Sequence, residues 1–219
     1  MLAILWKDLL VELRTKETLA SLFLLGTLLL LVLSFAFDPS HPLHEASAPG
    51  VLWVAIIFSG TIGINRTLLR ERENDCFAGL LLAPIDRGTL FLAKAAVNFI
   101  LLTVSEMFLV PLFIFFFNLP FLATIARLIL IVPLTTLGFA AIATLFSAVS
   151  LQTRAREIML PLLMLPLATP LFLAAVQTTT ALLSAAPLDQ VSHWFKLTVT
   201  FDVLFLVVGW LTFEYAVAE

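Results

Sequence analysis

The sequence predicts an all-α membrane protein: six transmembrane helices, an N-terminal interfacial helix and a cytoplasmic coupling helix, with both termini cytoplasmic. Three observations carry this prediction. Of 219 residues, 61% are hydrophobic and only 12% charged, with a mean hydropathy of +1.09, whereas a soluble domain is roughly 45–50% apolar and about 25% charged. Six stretches reach the roughly 20 apolar residues that cross about 30 Å of hydrocarbon. The 12 lysines and arginines then fall ten to two between the two sides of the membrane. Helices are the expected form throughout, because open strands leave backbone amides unpaired in lipid.

The elements follow in order as one domain over residues 1–219. Residues 1–17 place Leu2, Leu5, Trp6, Leu9, Leu10 and Leu13 on one helical face, with Lys7, Asp8, Glu12 and Arg14 largely elsewhere. That pattern predicts a helix lying along the membrane surface. Its acidic residues and the long apolar run after it argue against a secretory signal. The spans are expected at about Thr18–Phe37, Ala48–Asn65, Leu90–Asn118, Ala126–Val149, Ile158–Val176 and Lys196–Ala216. Pro161, Pro166 and Pro170 in the fifth span each remove a backbone donor, which predicts a bent helix packed inside the bundle and away from lipid. The outer segment 177–194 reads as a loop, with Ala181–Ala186 apolar enough to dip into the interface.

Orientation comes from the basic residues. Lys7, Arg14, Lys16, Arg66, Arg70, Arg72, Arg87, Lys94, Arg154 and Arg156 share the side of the termini, and Arg127 and Lys196 lie opposite. By the positive-inside rule the termini are cytoplasmic.

The loop 66–89 is the largest cytoplasmic connection. It begins polar (Arg70, Glu71, Arg72, Glu73), turns apolar from Phe77 through Leu80, Leu81 and Leu82, and stops at Pro84. This predicts a short amphipathic helix, with Asp86 and Arg87 turning the chain back into the bilayer. A solvated tether has no need of three consecutive leucines, so the helix is expected to dock on a soluble partner.

Composition and motifs exclude several classes of function. The net charge of -3 provides no basic patch for nucleic acid. The single Cys76 precludes an internal disulfide or a thiolate cluster. No glycine is followed by lysine, so a phosphate-binding loop is missing and ATP hydrolysis is not expected of this chain. His41 and His44 precede Glu45 in the wrong order for a zinc protease. Along with His193 they fall on the outer side, where imidazole is chemically able to ligate haem, although ordinary solvated histidines are the expected reading because no tryptophan-rich platform flanks them. Inside the spans, Glu106 and Asp202 stand out, because a carboxylate there costs roughly 2.5–3.5 kcal/mol to insert. Both lie in the outer halves of their helices, level with Arg127, so they are either protonated or paired with it, and a structural contact between helices is expected ahead of a functional cavity.

Ala48-Pro49-Gly50-Val51-Leu52-Trp53, Phe58, Asn65-Arg66, Glu71-Arg72-Glu73, Leu80-Leu81-Leu82-Ala83-Pro84, Asp86-Arg87 and Leu92-Ala93-Lys94 occur in order, followed by the run from Pro161 to Pro170 and by Phe213-Glu214-Tyr215. Together they resemble the haem exporter protein B family, the CcmB-type permease of cytochrome c maturation. Cys76-Phe77 departs from the Gly-Thr-like pair expected at the head of the coupling helix. The resemblance implies an ABC-2-type permease in the bacterial inner membrane, with ATP bound and hydrolysed on a separate CcmA-like ATPase that docks on the 66–89 loop. It also implies a CcmC-like haem-handling protein, a CcmD-like small membrane protein and the haem chaperone CcmE as partners. Haem is then the cargo, with no cofactor held firmly by this chain, and the role is either haem export or release of the haem-loaded chaperone. Other readings of the residues are an ABC-2 exporter for a lipid, glycan or drug, and a non-transporting membrane scaffold.

Overall fold

The computed structural model describes residues 1–37, 43–73, 86–150 and 156–217. Seven helices account for nearly all of these: α1 (Leu2–Thr15), α2 (Glu17–Ala36), α3 (Leu43–Glu73), α4 (Arg87–Phe116), α5 (Phe121–Ser150), α6 (Arg156–Leu183) and α7 (Leu188–Val217). The six from α2 to α7 are each long and apolar enough to cross a membrane. The predicted coupling residues Phe77, Leu80, Leu81, Leu82 and Pro84 lie outside the described residues.

Several helices exceed their predicted bounds. A 30-residue helix such as α4 is about 45 Å long, half as long again as the hydrocarbon, so the ends of α3 and α5 extend past any hydropathy boundary. The expected outer loop 177–194 is a second difference. It is helical apart from a tight turn at 184–187, where Ala185 adopts a left-handed conformation (φ 52°). No glycine or proline interrupts Gln177–Leu183, so α6 simply continues, and Pro187 precedes the first turn of α7. There is no separate re-entrant piece.

Packing inside lipid gains little from hydrophobicity, so it relies on close approach and on polar contacts. That requirement selects α5 as the central helix. It carries Gly138, Ala140, Ala141, Ala143 and Ala148 among its buried residues, interleaved with buried Thr135, Thr136, Thr144 and Ser147. These small side chains bring α5 against α3, α4, α6 and α7. In contrast, α2 is held by a narrow stripe, Thr18, Leu22, Gly26, Leu30 and Ser34, at intervals of four residues. Along it, Gly63 of α3 sits on Leu22 and Gly26 sits on Leu109 of α4, where an added Cβ would come within 2.7 Å of the leucine.

The prolines of α6 depart from expectation. Pro166 and Pro170 are exposed, as are Leu162, Leu167 and Leu173, while Met164, Ala168, Leu171 and Ala175 form the buried stripe. Two alanines with Met164 and Leu171 make up the buried face, and Pro166 and Pro170 occupy the other. A buried hydrogen bond from Trp53 Nε1 to Thr179 Oγ1 (3.0 Å) locks α3 onto α6.

Gly26→Val should force α2 away from Leu109 and destabilise the protein by about 1–3 kcal/mol. Leu28→Val, at a 56% exposed position on the same helix, should leave thermal stability in detergent unchanged.

Candidate functional site

The candidate site is the buried polar face of α4. This helix begins with an N-cap from Asp86, whose Oδ2 accepts from the Thr89 amide at 2.8 Å. Such a cap satisfies an amide that the helix itself cannot pair. Arg87 is the first helical residue, and Gly88 lies so close to the Trp210 indole of α7 that any Cβ would overlap it. Two turns further on, Lys94 Nζ lies 2.6 Å from Asp8 Oδ2 of α1. One turn beyond, Asn98 Nδ2 donates to Thr144 Oγ1 of α5 at 2.8 Å, and Asn98 Oδ1 is 3.2 Å from the Thr67 hydroxyl of α3. Two further turns along, Glu106 Oε1 accepts from Thr136 Oγ1 of α5 at 2.6 Å. Lys94, Asn98, Ser105 and Glu106 are all buried.

The Asp8–Lys94 pair anchors the N-terminal helix. Burial by itself would raise the Asp8 carboxyl, but the Lys94 ammonium, assisted by Lys7 at 2.8 Å, outweighs burial and holds it below its ordinary 3.8. Glu12, one turn further along α1 and also buried, accepts the Leu19 amide at 2.9 Å. It thereby fills the exposed amide end of α2, where a carboxylate is favoured by the helix dipole. Between the two helices the chain turns through Lys16 in a left-handed conformation (φ 55°).

Of the predicted polar trio, Glu106 and Asp202 are buried as expected. Arg127 does not join them. Its Nη1 donates to the Leu183 carbonyl at 3.0 Å, at the end of α6. The reason is axial register: Thr136, which meets Glu106, lies nine residues beyond Arg127 on α5, about 13 Å along the axis. Asp202 packs instead against Gly138, where any Cβ would collide with its Oδ1. Both Asp202 oxygens lack a hydrogen-bond partner among the described residues. Positions 136 and 138 point to opposite sides of a helix, so α5 is flanked at one depth by two buried carboxyl groups, one from α4 and one from α7.

The histidines expected on the outer side separate. His41 lies outside the described residues. His44 is buried, stacked on Phe117 at 4.6 Å, and its Nδ1 donates to the Phe37 carbonyl at 3.2 Å. His193 is exposed and, with Trp194, Gln177 and Thr180, lines an open pocket of about 360 Å³ between α6 and α7. No group of three or more His, Cys, Asp or Glu is placed to hold a metal ion among the described residues. Sequence reasoning did not single out Asn98, Thr136, Thr144 or the partnership of Asp8 with Lys94. A polar residue inside an apolar run was the available signal for Asn98.

Lys94→Met should leave Asp8 with only the half-exposed Lys7 and destabilise the protein by roughly 1.5–3 kcal/mol, and Asp8→Asn combined with Lys94→Met should recover part of the loss. Because the folded-state pKa of Asp8 is depressed, its contribution is complete above pH 3.8 and disappears as pH falls through the lower, folded value. Protection of the Leu2–Thr15 amides, taken relative to the intrinsic exchange rate at each pH, should therefore fall at acid pH in the native chain and stay constant over that range in Asp8→Asn. For the second carboxyl, Gly138→Ala should displace Asp202 and lower membrane accumulation several-fold, and Asp202→Ala in the same chain should relieve it.

The sequence profile of the CcmB family, described as CcmB protein, matches residues 1–218. Among curated proteins, no sequence matches the chain. The profile spans every helix and the whole polar face of α4, and the chain belongs to the CcmB family, the membrane component of the haem exporter of cytochrome c maturation.

Proposed function

We propose that this chain is the permease subunit of an ATP-driven complex for c-type cytochrome biogenesis, with its termini on the cytoplasmic side of the bacterial inner membrane. The family match over residues 1–218 carries the proposal. ATP is hydrolysed on a separate CcmA-like ATPase docked at the segment from Phe77 to Arg87, and CcmC-like, CcmD-like and CcmE-like proteins complete the assembly. Haem is the cargo of the complex, and ATP energy is spent on releasing the haem-loaded chaperone.

The architecture of α4 supports this division of labour. The helix leaves the docking segment directly at its Asp86 cap and carries Lys94, Asn98 and Glu106 in its buried face. A partner that binds two states of that segment differently shifts the balance between them, and a rigid helix conveys the shift to the carboxyl level. An exporter of a lipid, glycan or drug is the competing reading, and it differs in predicting unchanged cytochrome.

Deleting the chain should abolish holo-cytochrome c, and unchanged holo-cytochrome would overturn the assignment. Leu81→Asp should leave membrane insertion intact while reducing ATPase co-purification and cytochrome yield at least several-fold. Survival of both would refute docking at this segment.

A further inference from the structure

We propose that the open pocket between α6 and α7, at the end of the bundle opposite the chain termini, binds the phosphoethanolamine headgroup of a membrane lipid. The pocket has a volume of about 360 Å³, and its polar lining is Gln177, Thr180, Ser184, His193 and Trp194. Trp194 is half-buried and the other four are exposed, so their polar atoms are open to a ligand. The apolar span of α6 ends at Leu183 and that of α7 begins at Val191, which puts the pocket where both helices leave the hydrocarbon. Lipid headgroups lie at that depth, where tryptophan is enriched. A headgroup is therefore the ligand that the pocket meets at the highest concentration.

The polar atoms select the chemistry. Thr180 Oγ1 donates to the Val176 carbonyl at 2.8 Å, and Ser184 Oγ donates to the Thr180 carbonyl at 2.9 Å. With their protons engaged, both hydroxyls present only lone pairs to the pocket. The side-chain carbonyl of Gln177, without a hydrogen-bond partner among the described residues, adds a third acceptor. The Trp194 indole closes one side, standing across the His193 ring at 79° with centroids 5.4 Å apart. Of the aromatic rings, indole attracts a cation best. The last turn of α6 lies beside these groups, and the C-terminal end of a helix favours positive charge. Acceptor oxygens, an indole and a helix C-terminus together suit a primary ammonium, which has three protons to donate. A phosphate in the same place would face their lone pairs. The cations instead lie outside the wall: Arg127 ends on the Leu183 carbonyl at 3.0 Å, and Lys196 is exposed one turn beyond His193 on α7. They suit the phosphate that follows the ammonium in a zwitterionic headgroup. The inference rests on the pocket and not on the functional reading above: normal cytochrome in a deletion strain would remove that reading and leave this one intact.

The test is native mass spectrometry of the full chain in detergent, offered equal amounts of phosphatidylethanolamine, phosphatidylglycerol and phosphatidylcholine. Phosphatidylglycerol keeps the phosphate without the ammonium, and phosphatidylcholine keeps a cation without N–H donors. The ethanolamine lipid should be retained several-fold more than either. Trp194→Leu should lower its retention about tenfold, the weight of a partly desolvated cation–π contact, and Trp194→Phe should lower it less. Gln177→Leu, at an exposed position where folding is not at stake, should lower it several-fold. Leu173→Ala, exposed on α6 outside the pocket, should not change it. Equal retention of the three lipids would overturn the proposal, as would an ethanolamine preference that survives both Trp194→Leu and Gln177→Leu. Soluble phosphoethanolamine at the same concentration should leave the lipid bound; displacement would assign the pocket to a soluble amine and overturn the lipid as its ligand.

Discussion

Inside hydrocarbon a polar group must find its partner within the protein, and the packing of this bundle follows from how α5 meets that demand. Three of its hydroxyls bond back to their own helix, Thr136 to the Val132 carbonyl at 2.8 Å, Thr144 to Ala140 at 2.6 Å and Ser150 to Phe146 at 2.7 Å, while those of Thr124, Thr135 and Ser147 lack a partner among the described residues. A hydroxyl satisfied in this way is tolerable on a buried face, yet its oxygen still has lone pairs for a neighbour. Thr144 therefore accepts from Asn98 while donating to its own backbone. The single Thr136 proton serves either Val132 or Glu106. With Gly138 and the alanines leaving room, α5 is both the closest-packed helix and the polar hub.

How much of this was legible in the sequence depends on the range of the interaction. The six spans could be read because apolar length is a local property and hydrocarbon thickness fixes its scale. Their ends were less legible, since hydropathy marks where lipid stops and not where a helix stops: α3 continues to Glu73, and α6 and α7 between them take up the expected outer loop except for the turn at 184–187. Burial of Glu106 and Asp202 was legible from the energetic penalty of a carboxylate in a span. Their partners were not, because pairing depends on register between helices far apart in sequence. Lys94 meets Asp8 across 86 residues and Asn98 meets Thr144 across 46. The error over Arg127 has the same origin. A shared outer level was inferred by counting residues, whereas two turns of axial offset put Arg127 on the end of α6.

The N-terminal helix shows what the missing register conceals. Its apolar face alone marks α1 as amphipathic, and Glu12 belongs to the side that a helical wheel assigns to water. In the structure Glu12 is buried, because the adjacent amide end of α2 gives it a partner that solvent would otherwise supply. The polar side of α1 is thus its attachment: Asp8 holds α4 and Glu12 holds α2. An amphipathic helix fixed through its charges is specified in position by geometry, whereas one fixed through leucines alone can slide along the surface of the bundle.

That distinction bears on α4. Close to its first residue α4 is fixed on three sides, by the Asp86 cap, by the Trp210 indole against Gly88 and by the Lys94 pair with Asp8. A displacement of this end cannot be absorbed by bending around Gly88, because the glycine is there to admit the indole and not to make the helix flexible. The displacement must instead break a contact or carry α1, α7 and the buried face of α4 together. Packed interfaces respond to such demands by switching between discrete arrangements rather than by deforming continuously. Glu106, on the same continuous helix about 18 Å beyond Lys94, has one oxygen held by Thr136 and one unpartnered among the described residues. It is therefore a point on α4 where a change of register would exchange one polar contact for another.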